Sequence, residues 1–298
     1  MKARLFLFTV LFTGLAVSVL AQDQPRTKKA GKTKPAPAAD APLPEGVKEF
    51  TYKRTPQGEL KLQAHYPADW KATDQRPAIV FFFGGGWTNG SPSQFQKHAE
   101  LLASKGMTVL LADYRVKSRH NVAVPACVAD AKAAIRWTRA NAKRLNINPN
   151  RIAAGGGSAG GHLAAATAVL PGFEDGDNLK VSSKPNALLL FNPALVLTSE
   201  GPGPAERFGG DARAVSPIDH VTKAAPPTII FHGKADTTVP YKTVEAYQKK
   251  ASALGAKCIL EGYEGQTHGF FNHGRAGDYY AKTTERMLEF LRELGYVK

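Results

Sequence analysis

Apolar, strand-like runs alternate with helix-like segments from about residue 48 to the end of this 298-residue chain, and that alternation restricts the fold more than any other feature. Ala78–Phe83, Met107–Ala112, Ala187–Phe191 and Thr228–His232 read as strands buried on both faces, and Arg151–Gly155 as a short strand after a turn at Asn148-Pro149-Asn150. Lys48–Arg54 and Leu60–Tyr66 read as opening strands joined by a turn at Pro56-Gln57-Gly58, and Lys257–Tyr263 as the last strand. Between them, Val128, Ala131, Ile135, Thr138, Ala142 and Leu145 recur at helical spacing. Gln94–Ser104, Gly160–Leu170, Val244–Leu254 and Asp278–Leu294 are the other helices. The pattern predicts a mostly parallel, doubly wound sheet of about eight strands with helices on both faces. Functional residues then belong at the carboxyl ends of the strands.

The chain ahead of this domain has a different character. Lys2 and Arg4, the apolar run Leu5–Leu20 and the small-residue end Val19-Leu20-Ala21 predict a signal peptide at 1–21. The run is shorter than the ~20 residues a membrane span needs, so no span is expected after its removal. Residues 22–46 carry Arg26, Lys28, Lys29, Lys32 and Lys34, then Pro35, Pro37, Pro42 and Pro44, without apolar periodicity. They read as a disordered basic linker to a catalytic domain at 47–298. The expected destination is the periplasm or the exterior. A net charge of +14 raises the question of nucleic acid. The basic residues are scattered beyond the linker, and export argues against that partner. Cys127 and Cys258, the two cysteines, read as separate buried thiols.

Gly156-Gly157-Ser158-Ala159-Gly160 matches G-x-S-x-G, follows a predicted strand and precedes a predicted helix. A nucleophilic serine needs such a sharp strand-to-helix turn to expose its hydroxyl, and flanking glycines remove Cβ atoms that would clash. A phosphate-binding loop of the Walker type would need Gly-Lys-Ser/Thr, which is absent here. Phe83-Gly84-Gly85-Gly86-Trp87 follows another strand and suits an oxyanion loop, where backbone N–H groups approach a substrate oxygen.

Gly84-Gly85-Gly86-Trp87, Asp113-Tyr114-Arg115 and Gly156-Gly157-Ser158-Ala159-Gly160-Gly161-His162 together resemble the hormone-sensitive-lipase-like branch of the α/β-hydrolases. Within it they look most like exported bacterial carboxylesterases and acetylxylan-esterase-like proteins. The resemblance covers roughly residues 48–295. It implies the α/β-hydrolase fold and oxyanion donors at the N–H groups of Gly85, Gly86 and Ala159. Phe83 stands where the family usually carries a loop-organising histidine.

The triad order in this fold is serine, acid, histidine. Asp236 lies just past the strand Thr228–His232, in Gly233-Lys234-Ala235-Asp236-Thr237-Thr238-Val239-Pro240, and His268 follows the last strand. Ser158, Asp236 and His268 are thus the expected nucleophile, acid and base. His162 faces the wrong way for a base, and His232 reads as packing. The chemistry calls for no cofactor, and no metal-ligand spacing is present. Only short irregular stretches separate Leu170 from Thr228, so a minimal cap and an open site are expected. That favours short, acetyl-type esters, either small molecules or polysaccharide such as xylan. Trp87, Tyr114, Phe270 and Phe271 lie near strand ends and could bound a pocket, or pack beneath it. Arg115 and Arg119 could bind substrate or form structural ion pairs. Two other readings fit the same fold: a serine peptidase of prolyl-oligopeptidase type, and a non-catalytic protein that binds envelope or polysaccharide. Oligomeric state has no signature in the sequence.

Overall fold

The computed structural model describes residues 43–174, 176–198 and 205–298. The segment expected to be a signal peptide, 1–21, and the expected basic linker before Leu43 lie outside the described residues. Eight strands form one sheet in the order β1-β2-β4-β3-β5-β6-β7-β8. They are β1 Lys48–Thr55, β2 Gly58–His65, β3 Arg76–Phe82, β4 Thr108–Ala112, β5 Ile147–Gly157, β6 Ala187–Phe191, β7 Thr228–Gly233 and β8 Cys258–Tyr263. β1 and β2 pair antiparallel, as do β2 and β4, and every later pairing is parallel. This is the doubly wound sheet the sequence predicts.

The helices are α1 Gln96–Ser104, α2 Lys117–His120, α3 Val124–Ala140, α4 Ala142–Leu145, α5 Ala159–Val169, α6 Pro217–His220, α7 Tyr241–Ala253 and α8 Tyr279–Glu293. Alternation along β3 shows how the layers divide. Ala78, Val80 and Phe82 face one core, with Val128 and Ala131 of α3, Leu163 of α5 and Val244 of α7. Ile79 and Phe81 face the other, with Ala99 and Leu102 of α1 and Met287, Phe290 and Leu291 of α8.

Two expectations shift in detail. The apolar stripe from Val128 to Leu145 is interrupted at Asn141, which separates α3 from α4. Asn148-Pro149-Asn150, expected as a turn, lies inside β5, because Ile147 already pairs with Arg76 before the register shifts. The connection from β6 to β7 holds, among the described residues, only α6 and the 3₁₀ turns Ala205–Phe208 and Ala212–Val215, in keeping with a small cap. Among the described residues no helix is long and apolar enough to cross a membrane.

Candidate active site

β3 has β4 on one side and β5 on the other, so the chain's winding direction reverses there, and the carboxyl ends of the strands open a crevice. The loops after β3, β5, β7 and β8 meet at that edge.

Ser158 caps α5 at φ 53° and ψ −117°, a conformation an L-residue adopts only under strain. Its N–H donates to Phe191 O at the end of β6 (2.9 Å), and its carbonyl accepts from His162 N (3.0 Å). The turn is this sharp because its neighbours lack side chains. A Cβ on Gly160 would collide with the carbonyl oxygens of Phe82 and Phe83, so the elbow helix can sit against β3 only with glycine there. Ser158 is half-buried, and its hydroxyl makes no hydrogen bond among the described residues.

Asp236 and His268 meet at 2.7 Å, Oδ2 to Nδ1. The other carboxylate oxygen, Oδ1, accepts from the N–H groups of Thr238 (2.8 Å) and Val239 (2.9 Å). Burial by itself would raise this carboxyl. Hydrogen bonds from His232, His268 and Val239 N overcome it and hold the group well below the usual carboxylate range. A permanent carboxylate fixes the His268 proton on Nδ1 and leaves Nε2 with a free lone pair. His232 Nε2 lies 2.8 Å from Val239 O and 3.3 Å from Asp236 Oδ2. A carbonyl only accepts, so that nitrogen carries the proton and His232 braces the acid loop.

Gly85 N and Gly86 N donate to no protein group among the described residues. Ala159 N, the first residue of α5, has no intrahelical partner. Two N–H groups in the loop after β3 and one at the start of α5 are thus left without a partner in the backbone hydrogen-bond pattern of the described residues. The loop that carries two of them is held without the family's histidine. The Phe83 ring stacks on Tyr114 at 4.1 Å, and Tyr114 Oη donates to Phe83 O (2.8 Å). Gly84 N donates to Gln94 Oε1 (2.6 Å), and Arg207 donates to Gly86 O. Trp87 Nε1 donates to His162 Nδ1 (3.2 Å), while His162 Nε2 meets Val215 O (2.7 Å). His162 is thus neutral, lowered by burial to about 4, and is a strut between loop and cap rather than a base.

Among the aromatic residues considered for substrate contact, Tyr114 and Phe270 are corrected by their burial. They are 0% and 1% exposed; Tyr114 packs under the oxyanion loop and Phe270 against Tyr263 and Tyr279, so neither offers a face to a ligand. Phe271 is likewise buried, among Phe95 and Phe191. Trp87 instead helps line a cavity of about 210 Å³ with Thr88, Lys117, Val124 and Arg207. A larger hollow of about 730 Å³ lies at the opposite ends of the strands, beside Arg76, Gly106 and Tyr296. Arg115 and Arg119 are structural: Arg115 pairs with the fully buried Asp130 and Arg119 with Asp113, both through paired nitrogens. Cys127 and Cys258 are free and buried, and burial pushes each thiol up to about 12. No cluster of three or more His, Cys, Asp or Glu residues among those described is arranged to hold a metal.

The residues missed by sequence reasoning are amides. Asn192, at φ 36° just past β6, accepts from Gly269 N (2.9 Å), and Gln94 and Asn272 also border the site. None belongs to a motif.

A strained serine on a strand–helix turn, an acid–histidine pair after the next strands and a glycine loop of open N–H groups define a hydrolase of the nucleophile-elbow class. Residues 62–188 match the family model described as BD-FAE, and residues 196–294 that of the dienelactone hydrolase family. Esterase 2 of Thermogutta terrifontis, solved as its tabun adduct, is 49% identical with a TM-score of 0.83, over 86% of this chain and 97% of that one. Esterase LipC of Mycobacterium tuberculosis is 31% identical over 66% of this chain and 54% of its own length. The isoprenylcysteine alpha-carbonyl methylesterase ICME of Arabidopsis thaliana is 30% identical over 65% and 50%. The chain spans about half the length of these curated relatives. It belongs to the hormone-sensitive-lipase-like carboxylesterases of the α/β-hydrolase family.

Proposed function

We propose that this protein is an exported serine esterase that cleaves short-chain, acetyl-type esters through an acyl-enzyme on Ser158. The observation that carries the reading is the Asp236–His268 pair at 2.7 Å, whose carboxylate is pinned by two backbone N–H groups. With its proton held on Nδ1, His268 takes the Ser158 proton at Nε2 as Oγ attacks the ester carbonyl. Negative charge gathers on the former carbonyl oxygen, where Gly85, Gly86 and Ala159 N–H groups stabilise it. His268 returns the proton to the departing alcohol. Water, deprotonated by the same nitrogen, then releases the acid and restores the serine.

The short-chain preference rests on the small cap, since among the described residues the connection from β6 to β7 holds only α6 and two 3₁₀ turns. The related Thermogutta esterase has been solved with propionate and butyrate bound, in keeping with short acyl groups. An open crevice also admits a bulky alcohol, so acetyl groups on a polysaccharide such as xylan are the proposed natural esters.

Hydrolysis of p-nitrophenyl acetate, butyrate and octanoate and of acetylated xylan, with Ser158→Ala alongside, tests the reading. The expected result is turnover on acetate and butyrate that vanishes in the variant. Turnover surviving in Ser158→Ala, or confined to octanoate or to aminoacyl anilides, overturns it.

A further inference from the structure

Two side-chain amides close a path between the two halves of the site. Gln94 Oε1 accepts from Gly84 N (2.6 Å), and Gln94 Nε2 donates to Asn272 Oδ1 (3.1 Å). Asn272 Nδ2 donates to Gly269 O (2.8 Å). On the far side of that residue, Gly269 N donates to Asn192 Oδ1 (2.9 Å). Gly84 opens the oxyanion loop, and Gly269 follows His268. The relay also touches the elbow: a Cβ on Gly157 would stand 3.5 Å from Gln94 Nε2, and one on Gly84 would stand 3.3 Å from Ser158 Cβ.

The direction of the relay is dictated by its ends. Gly84 N can only donate and Gly269 O can only accept. Each amide between them must therefore accept on the Gly84 side and donate on the Gly269 side. A carboxylate at either position accepts on both sides and cannot complete the path. A primary amide is the neutral group of this length that offers both functions at one end.

We infer that Gln94 and Asn272 are positioning residues that set the oxyanion loop and the His268 loop against each other, so that the oxyanion donors and the base reach their working places together. The inference rests on the triad reading above. Neither amide touches reacting atoms; both act through backbone groups of the two loops. The peptide joining His268 to Gly269 is held by Asn192, and the next carbonyl by Asn272, so the relay fixes the backbone that aims the imidazole.

The experiment has two arms. In the first, Gln94→Leu, Gln94→Glu, Asn272→Leu and the double Leu variant are assayed on p-nitrophenyl butyrate. Each single variant is expected to lose about 10- to 100-fold in kcat with KM nearly unchanged, as for a misplacement of about 1 Å. The double variant should be no worse than the poorer single one, because one path broken twice is still one broken path. Gln94→Glu should fall as far as Gln94→Leu, although it retains the acceptor for Gly84 N. Wild-type-like kcat in Gln94→Glu, or multiplying losses in the double variant, overturns the inference. The second arm needs no activity. Hydrogen exchange of residues 266–273 should quicken in Gln94→Leu, and that of residues 84–90 in Asn272→Leu. Exchange unchanged across the relay in both variants also overturns the inference, whereas loss of turnover by wild type would count against the triad reading alone.

Discussion

Replacing Asp236 by Asn tests the acid's role, because the structure dictates how the new amide must point. Oδ1 accepts two backbone N–H groups, from Thr238 and Val239, while Oδ2 faces His268 Nδ1. An amide that turned its NH₂ toward Thr238 and Val239 would leave two donors unpaired in a site only 5% exposed. At about 1–3 kcal/mol each, that orientation lies roughly 2–6 kcal/mol higher. The amide therefore keeps its oxygen on the two N–H groups and aims its NH₂ at His268. Nδ1 must then accept, the proton moves to Nε2, and the imidazole cannot take a proton from Ser158. Regaining the working tautomer costs that same 2–6 kcal/mol, or from about 30-fold to about 2 × 10⁴-fold in kcat at 1.36 kcal/mol per factor of ten. The assay is kcat for p-nitrophenyl butyrate, with thermal unfolding measured in parallel. A variant with unchanged Tm and kcat within tenfold of wild type would refute the tautomer argument.

Three further outcomes follow from packing and burial. Gly160→Ala should destabilise by about 3 kcal/mol, the upper range for overpacking, since its Cβ meets the Phe82 and Phe83 carbonyls; an unchanged Tm would count against so tight an elbow. Asp130→Ala removes a fully buried carboxylate from Arg115 and Lys53 and should cost about 3–5 kcal/mol in urea unfolding, with a shift under 1 kcal/mol contradicting it. Desolvation by burial, then the nearby His273, lowers His98 from 6.5 to about 3, and it sits among Phe81, Phe95, Phe191, Phe271 and Tyr280. Below pH 6.5 the unfolded chain binds a proton there that the folded chain refuses, so stability is full above 6.5 and falls until about pH 3, by on the order of 3 kcal/mol at pH 4.5. His98→Leu should flatten the drop in Tm between pH 7 and pH 4.5; an equally steep drop would assign the acid sensitivity elsewhere, such as to His162.

Local sterics made the elbow readable in sequence. Only glycine permits the approach of Gly160 to β3, so the requirement is written into the chain within two residues of Ser158. Asp236 and His268 were equally readable, because a fixed sheet order places acid and base after consecutive strands. Position near a strand end did not tell which way a ring points. Tyr114, Phe270 and Trp87 share that position, and all three rings are buried, with only Trp87 reaching the edge of a cavity. The amides Gln94 and Asn272 lie 178 residues apart and meet only through the fold, so no spacing announces them. The stack of Phe83 on Tyr114 is similar: each residue was visible, but their use in place of a histidine was not.

The tip of β6 contributes no reacting group, yet both halves of the chemistry are moored to it. Ser158 N is bonded to Phe191 O and Gly269 N to the side chain of Asn192. Nucleophile and base are therefore aligned on one strand tip, although Asp236, His268 and Gly269 all follow the excursion toward β7 in the chain. That excursion reaches back to the site at two points, Arg207 to Gly86 O and Val215 O to His162, so new substrate preferences can be grafted onto it only where those two moorings are kept.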